Sequence, residues 1–308
     1  MPYHKIDRRS FIRTSGALPL GAAAAFAGTG RLSAQPLSTE KPPRARLSCN
    51  LYSFNSPLRS GQMTLDGVIE LCADLGFDAV DPTAYYFPGY PEVPDDAVVY
   101  RIKRKAYRLG LDISGTGVRN DFTLPEPEKR AAEVALVEKW IGFCVRLGAP
   151  VLRVFSGRGV PEGHTREETT GWVTDALKRC AETAARHGIL IVLQNHADFI
   201  QTADQVLHIL RMVNSEWLAV NLDIGSFRTG DPYAEIAAVA PYAATWQIKE
   251  NLYARGKEEK TDLKKIVRIV REAQYRGYLP LETLGEGDPR VKVPRFLGEF
   301  RKALSDDA

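Results

Sequence analysis

Four segments of the sequence end in polar side chains that could carry out acid–base or metal chemistry. They read Gln194-Asn195-His196, Asp223-Ile224-Gly225, Gln247-Ile248-Lys249-Glu250 and Leu281-Glu282-Thr283. Asp223 and Glu282 follow apolar runs, where an unpaired charge is costly, so each needs a cationic partner. A divalent metal ion meets that need, and with oxygen ligands it would be Mg²⁺ or Mn²⁺. The alternative is a salt bridge from Lys249 or Arg153.

A second group of residues has the character of a sugar-binding surface. Tyr85 and Tyr86 offer aromatic faces, while Arg119, Asn120 and Arg153 offer hydrogen-bond donors. A sugar ring has apolar C–H faces and a rim of hydroxyl groups, which this mixture suits. Two alternatives stay open: the tyrosines form a packed lid or a contact between copies of the chain, and the arginines bind a carboxylate or phosphate.

Both groups would be positioned by a repeating pattern of short apolar runs and longer helical segments. Eight strands are predicted at 47–51, 79–82, 112–115, 151–155, 190–194, 219–223, 245–248 and 279–282. Eight helices are predicted at 64–75, 95–109, 126–147, 166–187, 203–213, 233–239, 263–273 and 293–304, with capping glycines expected at Gly76, Gly110, Gly148, Gly188 and Gly277. Eight βα units predict an α/β fold, the (β/α)₈ TIM barrel, with its chemistry at the carboxyl ends of the strands.

The chain is expected to divide into an export signal peptide at 1–34, a linker at 35–45, a single catalytic barrel domain at 46–304 and a tail at 305–308. Arg8 and Arg9 precede an apolar run at 16–26, and small residues follow where a leader would be cleaved. The leader resembles a twin-arginine signal, with Asp7 where Ser or Thr is usual, and predicts a periplasmic or otherwise exported protein. A membrane span needs about 20 strongly apolar residues, so none is expected in the mature form.

The composition limits the kinds of partner that the protein is expected to bind. The formal net charge is +3 with both signs interspersed, so a small-molecule substrate is expected and nucleic acid is not. Cys49, Cys72, Cys144 and Cys180 lack C-x-x-C spacing, which favours buried free thiols over a metal or redox site. Export would also permit disulfides, whose three possible pairings stay open. A homo-oligomer is compatible with this composition.

Nearly all of the chain after the leader resembles the sugar phosphate isomerase/epimerase superfamily, also called the xylose isomerase-like TIM barrels. The resemblance is carried by Leu193-Gln194-Asn195-His196, by residues 221–227, by Asp231-Pro232-Tyr233 and by residues 278–282. In ketose 3-epimerases of that superfamily, Glu, Asp, His and Glu from successive strands hold one metal ion. By position, the resemblance implies four metal ligands here: Gln194, Asp223, Gln247 and Glu282.

The two glutamines change the implied chemistry. A site with two carboxylates instead of three holds a divalent ion less tightly, and Gln194 cannot serve as a base near neutral pH. Glu282 is then the base that removes a proton next to a carbonyl, with the metal or Lys249 stabilising the enolate oxygen. His196 is the candidate acid, its alternative being a structural histidine bonded to a backbone carbonyl, and Asn195 is a candidate substrate contact.

Three functions are compatible with this site. The first is metal-assisted isomerisation or epimerisation of a sugar or keto-sugar through an enediolate. The second is elimination or hydration on a 3-keto-glycoside, because loss of an α proton can expel a leaving group and only one strong base is present. The third is a sugar-binding barrel without catalysis. A DNA-repair endonuclease of the same superfamily is not expected, because its three-metal site needs many histidines and acidic residues. This sequence has five histidines in total, one of them in the leader.

Overall fold

The computed structural model describes residues 46–306, so the predicted signal peptide, the linker and the last two positions of the predicted tail lie outside the described residues. Within that range, the strands are β1 (Arg46–Asn50), β2 (Ala79–Asp81), β3 (Asp112–Ile113), β4 (Thr116–Gly117), β5 (Val151–Phe155), β6 (Leu190–Gln194), β7 (Leu218–Asp223), β8 (Ala243–Lys249), β9 (Asn251–Ala254), β10 (Lys257–Lys260) and β11 (Tyr278–Glu282). The α-helices are α1 (Asn55–Arg59), α2 (Leu65–Asp74), α3 (Asp96–Arg108), α4 (Pro127–Leu147), α5 (Arg166–His187), α6 (Ala203–Val213), α7 (Pro232–Val239), α8 (Leu263–Glu272) and α9 (Pro289–Asp306).

The parallel strands form one sheet with eight positions around a barrel. Their order is β3-β2-β1-β11-β8-β7-β6-β5-β4. β3 and β4 are two halves of the third barrel strand, since β3 pairs with β2 while β4 pairs with β5. The strand predicted at 112–115 is therefore interrupted. Gly115 lies at the break, where a Cβ would come within 2.7 Å of a Val151 methyl group. The predicted (β/α)₈ barrel is confirmed.

The hairpin of β9 and β10 has no counterpart among the predicted strands. Arg255 and Gly256 at its tip have φ angles of 50° and 76°, as the central residues of a type I′ turn require. β10 is charged and fully exposed, so it lacks the apolar alternation that identifies a half-buried strand. Just after β10, Thr261 Oγ1 donates to the Lys249 carbonyl oxygen at 2.8 Å. The hairpin therefore lies directly against the end of β8.

The predicted glycine caps of the helices take the left-handed conformation with one exception. Gly148 and Gly188 cap α4 and α5 in the left-handed conformation, as expected. Gly277 does not cap α8, because that helix ends at Glu272 and the left-handed position is held by Gln274 at φ 52°. A Cβ at position 277 would instead overlap the Tyr275 hydroxyl group. The last helix, α9, extends beyond its predicted bounds at both ends and reaches into the predicted tail.

The core fills the barrel and the layer between the strands and the helices. Its largest fully buried side chains include Trp140, Trp246 and Phe143. All four cysteines are buried and carry free thiols, as predicted. Among residues 46–306, no helix has the length and apolar character needed to cross a membrane.

Candidate active site

The carboxyl ends of four neighbouring strands bring the predicted polar residues together. Gln194, Asp223, Lys249 and Glu282 are the last residues of β6, β7, β8 and β11, which lie side by side in the sheet. Gln247 precedes Lys249 by two positions, so both side chains point to the same face of β8. These five residues are the strand-end cluster of this barrel.

A cavity of about 460 Å³ opens over the strand-end cluster. This volume lies within the usual range of small-ligand pockets, about 300–1,000 Å³. The cluster contributes Gln194, Gln247, Lys249 and Glu282 to the cavity floor. The walls include Tyr52, Tyr85, Arg119, Arg153, Phe155 and His196.

The Lys249 ammonium is the cation of the strand-end cluster. Its Nζ lies 2.9 Å from Asp223 Oδ2 and 3.1 Å from Glu282 Oε2. Burial alone would lower the pKa of this lysine, but the two adjacent carboxylates outweigh burial and raise its pKa above the ordinary value. Lys249 therefore stays charged. An ammonium has three N–H donors, and two are directed at these carboxylates, which leaves one for a ligand.

Two glutamine amides complete the hydrogen bonding of the carboxylates. Gln194 Nε2 donates to Asp223 Oδ2 at 2.8 Å, and Gln247 Nε2 donates to Glu282 Oε2 at 3.2 Å. An ionised carboxylate only accepts hydrogen bonds, which fixes the orientation of both amides. Gln247 Oε1 then accepts from Asn221 Nδ2 at 2.8 Å and faces away from the carboxylates. Gln194 Oε1 is buried, and no donor in the described part of the chain reaches it.

The two carboxyl groups of the cluster are shifted in opposite directions. Burial raises the pKa of each. For Asp223, the charge and hydrogen bond of Lys249 prevail, and the pKa falls below its ordinary value. For Glu282, burial prevails, and the nearby charge of Asp223 adds to it, so the pKa rises. Neighbouring groups whose pKa values are pushed apart are typical of acid–base sites. Glu282 is the group suited to accept and return a proton.

A second buried ion pair stands in the cavity wall. Arg153 Nη1 lies 2.8 Å from Asp81 Oδ2, and the two side chains are 4% and 3% exposed. The guanidinium packs against Gly117, where a Cβ would lie 2.8 Å from the Arg153 Cζ. Of the two salt bridges considered for Asp223 and Glu282, the structure contains the one from Lys249, while Arg153 is paired with Asp81.

The predicted tyrosines occupy different positions. Tyr85 lines the cavity, with the Arg119 guanidinium 5.9 Å from its ring centre. Tyr86 lies behind it, at 5.1 Å between ring centres, and donates to Asn55 Oδ1 at 2.9 Å. Tyr86 supports the wall of the cavity from outside, while Tyr85 and Arg119 are placed to contact a ligand.

His196 lines the cavity beside Phe155, and its ring contacts the Phe155 ring edge-on at 5.3 Å. Its Nδ1 lies 2.9 Å from Asp198 Oδ2, and the imidazole is 40% exposed. The side chain therefore meets a carboxylate and solvent, in contrast to the structural histidine considered as its alternative.

Asn195 and Asn120 are placed in the frame of the site, and their expected contact with substrate stays a prediction. The Asn195 amide accepts from the Asp223 N–H at 2.8 Å and donates to the Asp223 carbonyl at 2.9 Å. Asn120 forms the same pair of bonds with Phe155, at 2.9 Å and 2.7 Å. Each amide joins a loop to a neighbouring strand end through one donated and one accepted hydrogen bond.

The residues that follow β1 line the site but were not among the predicted site residues. Tyr52 and Asn55 line the cavity, and Ser53 Oγ accepts from the Thr283 N–H at 3.0 Å, which joins this loop to the end of β11. A tyrosine, a serine and an asparagine after a predicted strand are the same signal that identified the other strand ends.

The divalent ion implied by the superfamily resemblance does not fit the cluster as it is arranged. The Lys249 ammonium already bridges the two carboxylates, and both glutamines turn N–H groups towards them. A divalent ion about 4 Å from the ammonium would be repelled by about 8 kcal/mol at an effective dielectric constant of about 20. Within residues 46–306, no group of three or more His, Cys, Asp or Glu side chains is arranged to hold a metal.

The fold and the strand-end cluster define a (β/α)₈ barrel with a polar mouth. Residues 69–300 match the family described as xylose isomerase-like TIM barrel, and the chain belongs to that family. Among curated proteins, no sequence match was found.

Solved structures share this fold at low sequence identity. D-psicose 3-epimerase from Clostridium cellulolyticum H10, crystallised with D-tagatose, has a TM-score of 0.67 at 15% identity, covering 84% of this chain and 99% of its own. The 3-keto-D-glucoside 4-epimerase from E. coli has a TM-score of 0.65 at 13% identity, covering 77% and 94%. A xylose isomerase-like TIM barrel protein from Mycobacterium smegmatis, in complex with magnesium, has a TM-score of 0.61 at 17% identity, covering 86% and 98%.

Proposed function

We propose that the protein is an enzyme that removes and returns a proton next to the carbonyl group of a sugar or keto-sugar, and so catalyses isomerisation or epimerisation. The observation that carries this proposal is the position of Glu282: a buried carboxyl group with a raised pKa on the cavity floor, 3.1 Å from the Lys249 ammonium. The two epimerases with the same fold act on sugars by name, which supports the substrate class.

Glu282 accepts the proton through Oε1, because its Oε2 is held by Lys249 and Gln247. The electron pair of the broken C–H bond passes into the C–C bond and the carbonyl π pair moves onto oxygen, which gives an enolate. The remaining N–H of Lys249 donates to that oxygen. A preorganised charged donor in a site shielded from water is worth far more to a transition state than the same donor in bulk solvent.

The second half of the reaction decides the product. Return of a proton to the same carbon on its other face inverts that centre, with Glu282 on one side and His196 as the donor on the other. Return of the Glu282 proton to the neighbouring carbon, with transfer of the hydroxyl proton, moves the carbonyl group instead. Gln194 lines the cavity floor, so its side chain contacts the sugar in either case.

A second candidate function is elimination on a 3-keto-glycoside. Two observations favour it: Glu282 is the carboxylate of the cluster that lines the cavity, and a depression of about 510 Å³ adjoins the cavity at Tyr52 and Tyr85. Proton loss to Glu282 would form a C=C bond as the adjacent C–O bond breaks. The departing alkoxide would take a proton from His196, which lines the cavity, and leave as the alcohol.

Proton exchange with solvent deuterium tests both candidates. The wild-type protein is expected to incorporate deuterium next to the carbonyl of a keto-sugar, and Glu282→Gln is expected to abolish this while Glu182→Gln, at an exposed site on α5, leaves it unchanged. Release of a free alcohol together with an unsaturated ketone would identify the second candidate. Tight sugar binding without exchange on any sugar would refute both and leave a sugar-binding barrel.

We also propose that residues 1–34 direct export by the twin-arginine route, on the strength of Arg8 and Arg9 ahead of the apolar run. Replacing both arginines by lysine is expected to retain the protein in the cytoplasm, measured by fractionation of an expressing bacterium. Unchanged export of this variant would refute the route.

A further inference from the structure

We infer that Lys249 takes the place of a divalent ion in this barrel, so that the site carries its own cation and works without a metal. The role of Lys249 towards the substrate rests on the proposed function. Its role as the resident cation of Asp223 and Glu282 does not, and it is tested separately.

Strand register holds the ammonium in place. Lys249 and Glu282 are partner positions in the parallel ladder between β8 and β11, and Asp223 is the partner of Gln247 on the other side of β8. Partner residues in neighbouring strands present their side chains to the same face. Lys249 therefore extends from the middle strand of three, with one carboxylate on each side. Its contacts at 2.9 Å and 3.1 Å follow from the backbone pairing.

The loop after β7 leaves room for the lysine stem. A Cβ at Gly225 would lie 2.9 Å from the Lys249 Cδ and 3.3 Å from the Asn251 carbonyl oxygen. The Gly225 N–H donates to Asp223 Oδ1 at 2.9 Å, so the same residue also fixes the carboxylate that the ammonium meets. The absence of a side chain at position 225 thus permits the contact between Lys249 and Asp223.

The two glutamines match an ammonium better than a metal ion. A metal ion needs oxygen lone pairs directed at it, whereas Gln194 and Gln247 direct their N–H₂ groups at the carboxylates. The oxygen of Gln247 is bound to Asn221 on the far side. Both amides therefore act with Lys249 as donors to Asp223 and Glu282. In this arrangement the carboxylates accept hydrogen bonds from N–H groups and do not face a metal ion.

The ammonium also supplies what proton abstraction needs from a cation. It neutralises charge beside Glu282, and its third N–H can bind the oxygen on which negative charge develops. The side chain is 14% exposed and lines the cavity floor, so a bound carbonyl oxygen can reach it. One group thus serves as both counter-ion and electrophile.

Metal titration tests the resident-cation role without any sugar. Mn²⁺ binding to the wild-type protein is measured by electron paramagnetic resonance, beside the double variant Lys249→Ala/Gln194→Glu, which removes the ammonium and adds a third carboxylate. We expect the wild-type protein to bind Mn²⁺ no more tightly than about 1 mM Kd, and the double variant to bind one equivalent at least about a hundredfold more tightly. The control Lys257→Ala/Gln62→Glu makes the same charge change at exposed positions and is expected to behave as wild type.

The wild-type titration decides the proposal even where the double variant folds poorly. One tightly bound Mn²⁺ per wild-type chain, lost in Asp223→Asn, would overturn it. Weak binding to the wild-type chain with Mn²⁺-dependent thermal stabilisation of the double variant supports it, whether or not any sugar is turned over. Where exchange activity is found, it is expected to survive prolonged dialysis against a chelator, and its loss with recovery on adding Mn²⁺ would also overturn the proposal.

Discussion

A Cβ at position 225 would lie 2.9 Å from the Cδ of Lys249, so Gly225 and Lys249 share a space that an added methyl group would invade. Contacts between a Cβ and a carbon atom below 3 Å do not occur in relaxed structures, and either the loop or the lysine stem would have to move. The position of the ammonium between Asp223 and Glu282 thus depends on a residue that is not among those lining the cavity.

Gly225→Ala is therefore expected to slow deuterium exchange by at least about tenfold, equivalent to about 1.4 kcal/mol in the barrier, by displacing the Lys249 ammonium. The φ angle of Gly225 is not left-handed, so its backbone accepts alanine. Gly230→Ala is the matched control, because a Cβ there meets nothing within 4 Å. Equal exchange rates in the two variants would show that Lys249 does not need this space.

The pH dependence of kcat/KM is expected to report the ionisation of Glu282. The base must be ionised to accept a proton, so activity falls as pH drops through its pKa, which burial holds above the usual value of about 4.3. Asp223→Asn removes a negative charge that raises the pKa of Glu282. Glu282 is then the one carboxylate paired with the Lys249 ammonium. The acid limb of the profile should therefore move to lower pH. A limb that stays in place, or moves to higher pH, would assign it to another group.

Asn195→Ala and Gln194→Ala should have contrasting effects, although the residues are adjacent. Loss of the Asn195 amide leaves the Asp223 backbone N–H unpaired and its carbonyl oxygen with the Ser226 N–H alone, which should cost roughly 1–3 kcal/mol in urea unfolding. Gln194→Ala removes a side chain that lines the cavity floor and should chiefly raise KM. A raised KM with normal stability in Asn195→Ala would instead support the predicted direct contact of Asn195 with substrate.

Arg153→Met is expected to lower the free energy of unfolding by roughly 3–5 kcal/mol, because Asp81 would remain buried and unpaired. Adding Asp81→Asn to the same chain should recover part of that loss, since a neutral amide costs less to bury. Urea unfolding measures both, and Arg104→Met on the exposed face of α3 should stay within about 0.5 kcal/mol of wild type. A loss equal to that of the control would mean that the ion pair contributes no stability.

The arrangement of strands was predictable because it depends on short-range patterns. β5 and β6 have the predicted bounds, since strands buried on both faces read as continuous apolar runs. Parallel strands place their carboxyl ends at one edge. Once the barrel was predicted, Gln194, Asp223 and Glu282 were therefore expected to lie close together. The hairpin of β9 and β10 was not predicted because β10 consists of four exposed charged residues, although Leu252 and Ala254 of β9 are buried.

The choice of cation for Asp223 and Glu282 could not be read from the sequence, because a metal ion and Lys249 satisfy the same need. It depends on the register of β8 between β7 and β11 and on the clearance at Gly225, both of which are long-range properties. The hydrogen bonds of Asn195 could likewise not be predicted from the sequence. Its type and position suit a substrate contact, and only the distances to Asp223 reveal that its amide is already bonded.

A positive charge joined to the backbone through carbon atoms cannot be diluted, chelated or exchanged. Lys249 is therefore present once per chain under all solution conditions, whereas the occupancy of a dissociable metal ion depends on the concentration of that ion. Such a site is ready as soon as the barrel has folded, with no loading step between folding and use. Under the proposed role of Lys249, the substrate is the one component that the site takes up from solution.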